Sequence, residues 1–427
     1  MFIKNNLIKL ILGILYPFIL FASSHWGSRD ELIIILVIST VLPLYFYFLS
    51  ASLSLFGNRF YYLLGYSFLL RMVVLGSQAV WSDDIYRYLF DAKFFLEGLS
   101  PYLYTPAEAI KFIHSSPLEL ETLLSKMNSP HYFSVYPLLI QCFFSLGTLF
   151  GSLFGSSYLG VQILIFFVDV MNLVLIRKLY PQASFSSYWL YFGNPIVIIE
   201  GISQMHPEVL LVTGILLLLM SRFVSHKIIS FFLLTQLKFN AFLFILGFRW
   251  NRSLFAKLVV ASCFSLLLWK VTVFSDLGSQ GSSGIGLFFH SFRIAGMIEP
   301  LFYFILLPFK VEYLSGVLSF SILCCIYIYC FKKEIISRLN FGNRLLFIYS
   351  LFLFFSPVIH PWYWIPWILL MVGNEKMETL VTIISFLSLF SYGLYVSKDF
   401  VYIHWLVSLL VLGYYGKKQI NYFCKTT

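Results

Sequence analysis

Charge is what this sequence most lacks. Only 11% of its 427 residues are charged, against about 25% in an ordinary soluble domain. A water-soluble fold of this length needs a charged surface that these side chains do not supply, so a soluble globular enzyme is excluded. A disordered regulator is excluded as well, because 59% of the residues are hydrophobic and the mean hydropathy is +0.85. Cysteine is sparse. The six (Cys142, Cys263, Cys324, Cys325, Cys330 and Cys424) lack metal-ligand spacing and sit in or beside apolar runs. Cys324, Cys325 and Cys330, on one helix, read as small packing residues, and a secreted disulfide scaffold is ruled out. A glycine-rich phosphate cradle is missing too; Gly278, Gly281, Gly284 and Gly286 read as a flexible loop and not as a nucleotide fingerprint. There is no fixed-period repeat and no low-complexity tract.

What is present is apolar sequence in runs of near-membrane length from end to end, with one residue in five aromatic. The bilayer must be the solvent, and backbone groups in lipid must pair within their own segment. The chain therefore reads as an all-α polytopic membrane protein of about 12–14 transmembrane segments. It forms one membrane-embedded domain over residues 1–427. Three N-terminal spans occupy 1–80, the run 7–22 being an uncleaved first span and not a signal peptide. A polar loop follows at 81–135, then central spans at 136–274, a second polar loop at 275–312 and C-terminal spans at 313–427. The runs 228–237 and 241–248 are too short to cross. Split by Lys238-Phe239-Asn240, they read as a pair dipping towards a polar cavity.

The net charge of +10 does not point to nucleic acid, because of where the charges lie. Basic residues gather in short loops, among them Arg177-Lys178, Arg222 with Lys227, Arg249 with Arg252, Lys332-Lys333 and Lys417-Lys418. That is the positive-inside pattern. Most acids fall on the opposite side, including Asp83, Asp84, Asp91, Glu97, Glu200, Glu208, Asp276 and Glu299. Parity then requires one segment between 81–135 and Arg177 not to cross, and 136–153 is the candidate. The polar loops thus share an outer face.

The most informative stretch is Trp81 to Lys93, WSDDIYRYLFDAK. At about 100° per residue, Ile85, Leu89, Ala92 and Leu96 share one side, with Asp84, Arg87 and Asp91 opposite. The spacing predicts an amphipathic helix on the outer membrane surface, with its carboxylates turned away from lipid. Asp83-Asp84 at its start has two readings, a helix cap or a catalytic acid pair, and two adjacent acids exceed what a cap requires.

The run Ser82-Asp83-Asp84-Ile85-Tyr86-Arg87-Tyr88, then Asp91-Ala92, then Gly98-Leu99-Ser100-Pro101-Tyr102, resembles the first outer loop of GT-C-type glycosyltransferases. The likeness is greatest to members that use polyprenol-phosphate-mannose. Weaker echoes follow in order: Tyr136-Pro137, Asn194-Pro195 with Glu200, His206-Pro207-Glu208, Lys238-Phe239 and His360-Pro361-Trp362-Tyr363. The resemblance implies a GT-C-like bundle. It also implies inverting transfer of a hexose, mannose favoured, from a polyprenyl-phosphate sugar to a lipid- or glycan-borne hydroxyl on the outer face. If the chain is bacterial, that is the outer face of the cytoplasmic membrane. The expected partners are the donor, the acceptor and membrane lipid, and not nucleic acid.

Such chemistry needs a carboxylate to take the acceptor's proton, for which Asp84 is favoured over Asp83 because it shares a helical face with Arg87. It also needs cations for the departing phosphate, and Arg87, Lys238, Arg293 and His360 are available. Tyr86, Asp91, Tyr136, Glu200, His206, Glu208 and Tyr363 complete the expected substrate-binding set. No cofactor is required; a divalent cation on Asp83 and Asp84 is the alternative, and adjacent carboxylates are weak evidence for one. Arg71 and Asp169, inside apolar spans, are expected to pair structurally. A transporter or lipid flippase is the competing class, but it should show an internal repeat and ionisable groups near the midplane.

Overall fold

The computed structural model describes residues 2–50, 52, 59–112, 117–249, 251–275, 293–374 and 376–426. The glycine loop at Gly278–Gly286 and Asp276 lie outside them. Among the described residues the chain forms helices and no strand; isolated bridges join Ile294 and Ala295 to Val358. Among the described residues five helices are long and apolar enough to cross a membrane: Leu32–Ser50, Ser157–Leu179, Arg252–Val271, Glu312–Lys332 and Glu378–Val396. Phe185–Ser203 and Glu208–Met220 meet at a bend of 116°, the geometry of a broken span or a re-entrant loop. Six shorter apolar helices accompany them, among them Leu10–His25, Leu138–Phe154, Val224–Thr235 and Phe341–Phe355. The protein is an all-α, multi-pass membrane protein.

Local chemistry sets the helix ends. Ser156, Asn251 and Asn340 each accept a hydrogen bond from the backbone N–H three residues on, capping the helices that follow. The expected third span, 60–80, stops early: its helix is Phe60–Met72. Gly76 then turns the chain at φ +77°, and its N–H donates to Gln162 Oε1 at 2.7 Å. Segment 136–153, expected not to cross, is the short helix Leu138–Gly151, laid against Ser157–Leu179. The contact is backbone to backbone, since a Cβ on Gly160 would stand 2.3 Å from Gly151 Cα.

Inside the bundle Arg71 Nε meets Asp169 Oδ2 at 2.5 Å, with both side chains fully buried. Tyr191 donates to the other Asp169 oxygen at 2.5 Å. Arg71 Nη1 donates to the carbonyls of Ser67 and Phe192 at 3.0 and 2.8 Å. The pair is structural, as its sequence setting suggested.

The predicted outer-loop helix is present as Asp84–Leu96, but protein covers its polar side where a wet one was expected. Ile85, Leu89 and Ala92 are buried as expected, and so are Arg87 and Asp91, whereas Leu96 is exposed. The reason is the chain that follows. Helix Pro117–Lys126 and residues 127–135 fold over the polar side, and Arg87 donates to the carbonyls of Ser129 and Tyr132 at 2.8 and 2.9 Å. Ile359 N–H donates to Ile294 O at 2.7 Å, tying the second polar loop to the segment that carries His360.

Candidate active site

Gln204 fixes the entry to the Asp84–Leu96 helix: its Oε1 accepts from the backbone N–H groups of Trp81 and Ser82 at 2.9 and 3.0 Å. Asp83 stands at the N-cap position but makes no side-chain cap bond. Its carboxylate accepts instead from Arg29 Nη2 at 2.9 Å, Arg29 Nη1 at 3.3 Å and Asn128 Nδ2 at 2.9 Å. The capping reading therefore falls.

Asp84 is half-buried, and among the described residues its carboxylate accepts no hydrogen bond. Burial pushes its carboxyl up to about 7, with Asp83 and Glu208 acting in the same sense against Arg29 and Lys238. The expected partnership with Arg87 is not formed. Arg87 Nε donates to Asp91 Oδ1 at 2.8 Å, and Gln141 reaches the other Asp91 oxygen at 3.4 Å. Arg87 and Asp91 hold the loop over the helix.

Lys238 lies where sequence placed a break. Helix Val224–Thr235 ends, Lys238 is extended, and a 3₁₀ stretch Phe239–Gly247 follows. Its ammonium donates to Glu208 and sits 3.6 Å from the centre of the Tyr363 ring. Glu208 Oε2 is buried without a hydrogen-bond partner. Because Lys238 and Glu208 both act on Asp84, these groups form one electrostatic cluster.

Behind it Glu200, on a π-helical turn Val197–Ser203, accepts from Tyr392 at 2.8 and 2.9 Å. His206 Nε2 is 3.5 Å from Glu200 Oε2. The His206 ring stacks on Trp362 at 3.6 Å, and Trp362 stacks on His360 at 4.3 Å. An indole held between two imidazoles thus ties residues 206 and 360 together. Tyr136 packs edge-on against Tyr88 at 4.6 Å. Arg293 stands apart from the cluster, tied to Glu299 at 3.2 Å, Ser315 and the Glu312 carbonyl at 2.8 Å, and the Tyr303 ring.

Sequence reasoning missed Arg29, Asn128, Gln204 and Tyr392. Arg29 carried a legible signal, as a basic residue on the side that the charge pattern predicts to be poor in them. The uncharged three carried none. Among the described residues no group of three His, Cys, Asp or Glu side chains is arranged to hold a metal ion. A cation shared by Asp83 and Asp84 would have to displace Arg29.

No curated protein and no solved structure matches the chain. Residues 74–251 match the model of the MptA_B family, alpha-(1->6)-mannopyranosyltransferase, N-terminal domain. That stretch carries Asp83, Asp84, Glu200, His206, Glu208 and Lys238. The match covers less than half of the 427 residues, and on an all-helical membrane fold it supports mannosyl transfer as the activity.

Proposed function

We propose that the protein transfers mannose from a polyprenyl-phosphate mannose to a lipid- or glycan-borne hydroxyl on the outer face, with inversion and with Asp84 as the base. The observation that carries this reading is the contrast within the acidic pair. Asp83 is held by Arg29 and Asn128, while Asp84 is free to accept a proton and is pushed up to about 7. A base works best with a pKa near the operating pH.

In the step, the acceptor oxygen bonds to the anomeric carbon as its proton passes to Asp84. The bond from that carbon to the phosphate oxygen breaks, and polyprenyl phosphate leaves with the electron pair. Lys238 supplies positive charge to the leaving phosphate, with Tyr363 and Glu208 fixing its position. Glu200, His206 and His360 support that wall through Trp362. No step requires a metal ion.

The test is transfer by membranes containing the protein, given polyprenyl-phosphate mannose and candidate acceptors. Asp84→Asn is expected to reach wild-type abundance and lose transfer by about two to four orders of magnitude, the usual worth of general base catalysis. Asp83→Asn should lose less. Near-normal transfer by Asp84→Asn at matched abundance removes it from the mechanism. For the side of the membrane, a cysteine at Ser100 in a cysteine-free background should label with an impermeant reagent from outside. One at Gly342 should not, and labelling of both from one side refutes the outer-face assignment.

A further inference from the structure

An open cleft of about 300 Å³ lies beside Asp83, between the Gly27–Asp30 turn and the start of the Asp84–Leu96 helix, and neither Lys238 nor Glu208 lines it. Its polar lining comes from Ser28, Arg29, Asp30, Asp83, Tyr86 and Lys126. Close packing puts the turn there. Trp81 Nε1 donates to Ser23 O at 2.9 Å, and a Cβ on Gly27 would stand 2.6 Å from the Trp81 ring.

We propose that this cleft is the acceptor subsite and takes one or two neutral hexose units of an acceptor glycan. The inference rests on the transfer reading above. Charge balance argues for a neutral ligand. Arg29 is engaged by Asp83 and by the Tyr395 ring at 4.8 Å, and Lys126 by the Tyr86 ring at 5.4 Å. A phosphate here would meet the carboxylates of Asp30 and Asp83 with both cations already partnered. An isoprenoid chain finds little purchase either, because the aliphatic wall is confined to Ala79 and Val80. A polyhydroxyl ring suits what remains: carboxylate and hydroxyl groups to bond its hydroxyls, and a tyrosine edge to lie against. The volume is at the small end of ligand pockets, roughly 300–1,000 Å³. Asp83, which lines the cleft, is the chain neighbour of the proposed base Asp84.

Two variants that stay clear of the proposed base test this. Ser28→Trp plugs the cleft, and Lys126→Ala removes an exposed side chain from its rim. The readout is the pair of KM values, for acceptor and for donor, at matched abundance. Ser28→Trp is expected to raise the acceptor KM by about tenfold or more, and Lys126→Ala by about threefold, one polar contact being worth about tenfold or less. The donor KM should stay within about twofold in both. An unchanged acceptor KM in both variants overturns the proposal, and a rise in donor KM alone gives the cleft to the donor and overturns it equally. Failure here is distinct from failure of the base assignment: Asp84→Asn would then still abolish transfer while the cleft variants kept a normal acceptor KM.

Discussion

Two of the cation–carboxylate pairs among the described residues, Arg71–Asp169 and Lys238–Glu208, have similar chemistry and different company. Asp169 has both oxygens occupied, one by Arg71 and one by Tyr191, and nothing of the pair reaches solvent. Glu208 has one oxygen on Lys238 and one with no hydrogen-bond partner, and the Lys238 side chain keeps 24% of its surface exposed. The first pair is sealed and joins three helices, and the Arg71 nitrogen left without a partner, Nη2, is shut in with it. The second keeps part of its cation exposed, where a substrate can reach it. What separates a structural pair from a functional one is this access, and not unspent bonding capacity alone.

Breaking each pair tests the distinction. Lys238→Met is expected to lower turnover by roughly 10²–10³, the usual worth of a charge-stabilising donor, with little change in abundance. Arg71→Met should do the reverse. Removing one partner of a buried pair costs about 3–5 kcal/mol, so abundance and thermal stability should fall while the surviving protein turns over normally. Arg71→Met with Asp169→Leu should recover part of that loss, since the orphaned carboxylate goes too. Equal effects of Lys238→Met and Arg71→Met on turnover per molecule would erase the comparison.

A smaller effect sharpens it through pH. A base acts when deprotonated, so with Asp84 pushed up to about 7, transfer should rise with pH through the neutral range and level off above it. Asp83→Asn removes a like charge and leaves Arg29 unpaired. Both changes favour the ionised form of Asp84, so the midpoint should move down, by about half a unit or more. A rate–pH profile of each variant measures this, and an upward shift would contradict the electrostatics described here.

Much of the fold was legible because the bilayer imposes it. Apolar run length marked the spans, and Lys238 between two short runs marked the broken segment that the structure contains. Arg71 with Asp169 was legible because charge inside a span needs a partner. The Asp84–Leu96 helix was found in the right place with the wrong surroundings. Its 100° pattern was real, but periodicity reports which side is polar and not what covers it. Residues 127–135 cover it with backbone carbonyls, which have no sequence signature. For the same reason Arg87 read as the partner of Asp84 when a carboxylate one turn on and two carbonyls claim it. Gln204 and Tyr392 were invisible because a neutral hydrogen-bonding side chain becomes part of a site only through the fold that brings it there.

The bend between Phe185–Ser203 and Glu208–Met220 has a consequence of length. Phe185 to Met220 as one straight helix would measure about 54 Å at 1.5 Å per residue, against a hydrocarbon core of about 30 Å. The 116° bend absorbs the excess and sets Glu208 at the head of the second arm, facing Lys238. Residues 204–207 of the corner are not helical, so its length sets where the second arm begins, and one residue inserted there would displace that start by up to about 3.8 Å along the chain. Glu208 would leave Lys238 with its own identity unchanged. Here the count of residues in the corner is as strict a requirement as the carboxylate it delivers.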